Sequence, residues 1–156
     1  MTNELQDNPG VIAPPPLIYA GTLAVGLLLN RAFPVKFLPR PIALILGIPC
    51  IMTAILLTWS AFQEMRRAHT NVNPRQPATA LVTEGPFRYT RNPLYTSLTL
   101  MYTGIALIAN ALWALLLLPV TLLIINRTVI DREEQYLERK FGEQYLNYKA
   151  RVRRWI

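Results

Sequence analysis

The chain has 156 residues, of which 52% are hydrophobic and only 16% charged, where a soluble domain carries about a quarter. Sixteen Lys and Arg stand against nine Asp and Glu, a formal charge of +7, with one Cys and one His. These values exclude a disordered tail, a disulfide scaffold and a Cys/His zinc module, and the length allows one domain.

The charges lie in islands between uncharged tracts at Asn8–Asn30, Pro41–Gln63 and Asn92–Asn126. A bilayer core takes about 20 apolar helical residues to cross, so the first two tracts predict one crossing each. The third, 35 residues long, is too long for one crossing, and Asn110 at its middle predicts a tight helical hairpin. The expected spans are about 15–31, 41–65, 94–109 and 112–128. Pro14-Pro15-Pro16 places the first helix start near Pro16, and Pro49 and Pro119 are expected to kink the second and fourth spans. Five Lys/Arg in the 64–93 loop and eight from Arg127 onward lie opposite three in the 31–40 loop. That asymmetry puts both termini on the cytoplasmic side. The acidic N-terminus (Glu4, Asp7) lacks the basic start of a signal peptide, so the first span is expected to be retained. The fold expected is an all-α, multi-pass integral membrane bundle of about four transmembrane helices. Amphipathic helices follow it on the cytoplasmic side, and residues 1–156 form one membrane domain. The basic excess is topological and does not indicate nucleic acid.

Pro74, Pro77, Pro86 and Pro93 keep the 64–93 loop non-helical, with Val72, Leu81, Val82, Phe87 and Tyr89 available to anchor it. Gly85-Pro86 is a turn signal. Asn92-Pro93 reads as a helix start, Asn92 at the N-cap and Pro93 at the first helical position. The same helix start, with Arg88 and Arg91 beside it, suits an anion; positive-inside anchoring explains the arginines equally well. Past the fourth span, Ile130, Leu137 and Phe141 share one helical face, and Gly142 is a stop. Glu133 and Glu134 fall at the edge of that face, where they either pair with Arg127, Arg132 or Lys140 or meet a ligand. Residues 141–152 read as an interfacial helix with aromatics toward lipid headgroups; Arg151, Arg153, Arg154 and Trp155 read as membrane-surface anchors. His69 reads as a solvated loop residue and Cys50 as a small core residue.

In order along the chain come Gly85-Pro86-Phe87, then Arg91-Asn92-Pro93-Leu94-Tyr95 opening a hairpin. Glu133-Glu134, Leu137, Phe141-Gly142, Tyr145 and Tyr148 follow it. This order, over about residues 64–154, resembles the isoprenylcysteine carboxyl methyltransferase family and its phospholipid N-methyltransferase relatives. The resemblance implies an S-adenosylmethionine-dependent methyltransferase with a lipophilic acceptor that enters from the membrane, and no metal. It makes Arg91, Asn92, Tyr95, Glu133 and Glu134 the cofactor-binding residues. Thr70-Asn71-Val72-Asn73-Pro74 is a segment that could close over the cofactor. The family's usual Arg-His-Pro-x-Tyr carries Asn92 in the His position; an amide hydrogen-bonds but cannot shuttle a proton near neutral pH. Two other classes fit less of the pattern. One is an NADPH-dependent reductase like the membrane sterol reductases, which have a similar hairpin in a longer chain. The other is a non-enzymatic scaffold that binds anionic lipid.

Overall fold

The computed structural model describes residue 10, residues 13–71 and residues 76–156. Glu4, Asp7, Val72, Asn73, Pro74 and Arg75 lie outside the described residues. The order is α1 (Pro15–Ala32), α2 (Arg40–Arg67), a 3-10 turn (Gly85–Arg88), α3 (Pro93–Ile108) and α4 (Leu112–Ile125). A π-helical turn (Asn126–Ile130), α5 (Asp131–Phe141) and α6 (Glu143–Arg151) follow. No strand occurs among the described residues.

Two helices are long and apolar enough to cross a membrane: Arg40–Arg67, and the continuous helix Leu112–Phe141 that α4, the π turn and α5 form together. Few residues are buried along either apolar window, and Ile45, Leu56, Trp59, Leu116 and Leu123 are exposed. A soluble core helix would bury such residues; exposed all along a bundle, they suit lipid. The apolar part of the second helix ends before Asp131-Arg132-Glu133-Glu134, where α5 begins. α3 is apolar but shorter. These helices describe a membrane protein.

The bundle pairs α2 with α3 and α1 with α4, and each pair meets through small residues. A Cβ on Gly47 would lie 2.9 Å from the Gly104 carbonyl, and one on Gly26 would lie 2.4 Å from Ala114 Cα. Between apolar helices in lipid, close backbone approach supplies the packing that the hydrophobic effect supplies in water. Hydroxyls add cross-links: Tyr19 with Thr99 at 2.9 Å, Thr58 donating to Ser97 at 2.9 Å, and Thr121 donating to Thr22 at 2.9 Å.

The hairpin turn falls at Asn110, as expected, with the backbone in the left-handed region at φ 52°. Its amide also pins the preceding loop: Phe37 and Leu38 N–H donate to Oδ1, and Nδ2 donates to the Leu38 carbonyl at 2.6 Å. The α1–α2 loop and the hairpin tip are therefore fixed together at one end of the bundle. At the other end α2 stops at His69, also left-handed (φ 51°). Thr70 N–H bonds the Met65 carbonyl and His69 N–H the Arg66 carbonyl, the two closures of a Schellman motif. His69 is thus an exposed helix stop that turns the chain into the long loop.

Candidate functional site

The long loop, the start of α3, α5 and α6 enclose a cleft of about 160 Å³ of water-accessible space. Its walls include Leu81, Val82, Leu94 and Leu137, with Arg91, Asn92, Tyr95, Glu133 and Glu134 among its polar groups. All five residues singled out in the sequence therefore meet in one place, although Tyr95 and Glu133 are 38 positions apart.

The two adjacent acids have different surroundings. Glu133 is half-buried and faces the cleft, and Tyr95 Oη donates to its Oε1 at 2.6 Å. Burial raises its carboxyl to about 7, assisted by the Glu134 charge and opposed by the Tyr95 hydrogen bond. Glu134 is 5% exposed and held by cations. Arg154 Nε and Nη2 bond its two oxygens at 3.0 and 2.8 Å, Arg91 Nη2 lies 3.1 Å from Oε1, and Lys149 Nζ 3.7 Å from Oε2. The fork-to-carboxylate geometry is the strong form of this contact. These partners differ from Arg127, Arg132 and Lys140, the cations nearest in sequence.

Arg91 is half-buried; its Nε and Nη1 are themselves buried and find no hydrogen-bond partner among the described residues. A buried guanidinium keeps such donors unpaired at a cost unless an acceptor arrives. Its backbone N–H donates to the Arg153 carbonyl at 2.9 Å. Asn92 occupies the N-cap position of α3, but its side chain does not cap: Nδ2 donates to the Arg154 carbonyl at 3.0 Å. The free N–H groups of the first α3 turn are therefore not spent on Asn92. Gly85 (φ 58°) brings the 3-10 turn close to α2, where a Cβ would lie 2.6 Å from Glu64 Cγ; it shapes the loop.

Three expectations are corrected. Tyr145 and Tyr148 do not face headgroups: Tyr145 is 1% exposed and both line the cleft. Tyr148 Oη donates to the Phe87 carbonyl at 2.7 Å, tying α6 to the 3-10 turn. Burial raises both hydroxyls above the usual tyrosine value, so they remain neutral donors. Tyr89 does not anchor the loop, being 77% exposed; Phe87 lines the cleft instead. Arg154 is not a surface anchor. Arg154 binds Glu134 and, through Nη1, Asp131 at 2.9 Å, and Trp155 Nε1 donates to Asn126 Oδ1 at 3.3 Å.

Sequence reasoning missed Arg154 and Tyr136. The Tyr136 hydroxyl accepts the Ala78 N–H at 3.1 Å and fastens the long loop to α5. Thr70 Oγ1 accepts the Thr79 N–H and Asn71 Nδ2 donates to the Pro77 carbonyl at 2.9 Å, so the loop closes on itself beside the cleft. Tyr136, two residues past Glu134 on a helix already assigned to the site, carried a usable signal.

Glu133 gives the fold a pH dependence. A carboxyl whose folded value is raised above its unfolded one is accommodated better when protonated. Its destabilising contribution is absent below about pH 4.5, grows as pH rises, and is complete above about 7. Glu133→Gln is therefore expected to melt above the wild type at pH 8 and to converge with it near pH 5. A melting difference that does not change between these pH values would contradict this environment for Glu133.

No solved structure matches this chain. A protein of Haemophilus influenzae of uncharacterised function is 44% identical over 68 residues, 40% of this chain and all of that relative. A profile of the phospholipid methyltransferase family matches residues 42–144, from α2 through the hairpin and α5 to the start of α6. With that match spanning most of the chain and containing all five cleft residues, the protein belongs to the phospholipid methyltransferase family.

Proposed function

We propose that the protein is an S-adenosylmethionine-dependent methyltransferase that works at the membrane surface on a lipophilic acceptor. Family membership supports the reaction class. The observation that carries the cofactor is the presence of opposite charges in the lining of one cleft: Arg91, whose Nε and Nη1 are unpaired among the described residues, and Glu133. An amino-acid moiety presents the complementary pair. Arg91 would take its carboxylate, Glu133 its ammonium or the ribose hydroxyls, and Leu81, Val82, Leu94 and Leu137 would enclose the adenine. Asn92 and Tyr95 would complete the wall. Glu134, committed to three cations, would serve by holding Arg91 in place.

Bound there, the cofactor supplies a methyl group already activated on a positive sulfur. The chain's own task is then to orient that group toward the acceptor and keep water out. Tyr95 fixes the Glu133 carboxylate; Tyr145 and Tyr148 close the side toward α6. The topology goes with this reading: four crossings, α1 to α4, with both termini and the cleft on the cytoplasmic side. The exposed apolar faces of the bundle would deliver the acceptor laterally from the bilayer.

Calorimetry of the full chain in detergent with S-adenosylhomocysteine tests the reading. Binding is expected, with proton release near pH 6.5, because a ligand ammonium would favour the ionised form of Glu133. No binding by folded protein would overturn the proposal, and binding of NADPH instead would support the reductase class.

A further inference from the structure

We infer that Arg154 is a positioning residue of the cofactor site, keeping Arg91 available to a carboxylate by occupying the carboxylate that would otherwise neutralise it. The inference rests on the methyltransferase reading and concerns a residue outside the 42–144 family match.

Three sets of contacts converge on the 152–156 segment. The Arg154 side chain takes both oxygens of Glu134, at 3.0 and 2.8 Å, and its Nη1 reaches Asp131 at 2.9 Å. Its carbonyl accepts the Thr90 hydroxyl and the Asn92 amide, each at 3.0 Å. The preceding carbonyl, of Arg153, accepts the Arg91 N–H at 2.9 Å. The residues on both sides of Arg91, and Arg91 itself, are thus fastened to two consecutive carbonyls of one short segment.

The side-chain geometry explains why a guanidinium is used. Arg91 touches Glu134 through Nη2 alone, at 3.1 Å, and keeps Nε and Nη1 unpaired. A buried carboxylate beside a guanidinium favours two parallel bonds. Here Arg154 has formed them, so Glu134 meets Arg91 with one oxygen only. The Glu134 contact in turn raises the Arg154 guanidinium further above its usual value, so the clamp stays charged. Without Arg154, Glu134 is free to turn onto Arg91 and consume its unpaired donors. Lysine, a point charge with no planar fork, could hold one oxygen and not both.

The test compares two ligands on the full chain in detergent. S-adenosylhomocysteine carries the amino-acid carboxylate; 5′-methylthioadenosine keeps the nucleoside and lacks it. Arg154→Met is expected to weaken S-adenosylhomocysteine about 10- to 100-fold, the equivalent of one charged hydrogen bond. It is expected to leave methylthioadenosine within about twofold, with Arg154→Lys intermediate for the first ligand only. If Arg154→Met does not fold, Arg154→Lys carries the same comparison. Equal losses for both ligands, or no loss for either, would overturn the inference while the wild type still binds. A wild type that binds neither ligand would overturn the methyltransferase reading, and the inference with it.

Discussion

Glu134→Gln is expected to destabilise the protein by about 3 kcal/mol, the usual result of removing one member of a buried ion pair. The substitution removes a charge and leaves its cations in place. Arg91 would lose its ion pair with Glu134, and Arg154 would keep Asp131 but lose Glu134. Lys149 retains Glu138, so that arm of the network survives. Glu138→Gln is the natural comparison. Its contact with Lys149 is partly exposed, and such pairs contribute about 1 kcal/mol or less. Detergent melting curves of the two variants, read beside cofactor affinity, separate two roles for Glu134. A clamp lowers stability with or without ligand. A carboxylate that only contacts the cofactor would leave the apo melting temperature unchanged, and that outcome would return Glu134 to the ligand.

The second large effect belongs to the α1–α4 contact. A side chain at Gly26 begins 2.4 Å from Ala114 Cα and 2.9 Å from its nitrogen. Both are backbone atoms, so no rotamer change relieves the overlap and the helices must separate. Gly26→Leu is expected to cost about 3 kcal/mol, the upper part of the range for overpacking. Gly21→Leu lies on the same helix with nothing within 4 Å of the new Cβ, and is expected to be near neutral. The pair controls for helix propensity and for added lipid-facing surface. Equal melting temperatures would show that α1 does not pack on α4 through this face.

Much of the architecture could be read from where charges are missing. Uncharged tracts predicted helices whose observed ends lie within three residues of the expected ones. Asn110 marked the hairpin because a polar residue inside an apolar tract is costly unless the backbone needs it. The cleft was legible for a different reason: its residues lie in short runs, Arg91 to Tyr95 and Glu133-Glu134, whose order resembles a known family. Which acid does what was not legible. Glu133 and Glu134 are chemically identical, and adjacent positions on a helix point about 100° apart, so only the elements packed around them distinguish them. Arg154 was misread because a cation among cations near a membrane fits the positive-inside pattern. Its acidic partner lies 20 residues earlier, beyond any helical spacing. Tyr145 was misread because an aromatic next to lipid usually faces it; here α6 folds back at Gly142 (φ 51°) and turns that face inward.

The π turn at Asn126–Ile130 has a consequence for how a single helix can serve two surroundings. Up to Ile125 the helix exposes apolar side chains such as Leu116, Val120 and Leu123; from Asp131 it presents acids to the cleft while burying Tyr136. An uninterrupted α-helix carries one phase throughout, so a face chosen for lipid continues as the same face beyond it. A π turn holds one extra residue and rotates everything after it by about 100° relative to that phase. The sequence pattern of the membrane half and that of the chemical half are thereby decoupled, and each can vary without misaligning the other. Asn126, the first residue of the turn, is also the one that Trp155 holds, so the rotation is anchored by the segment that fastens Arg91.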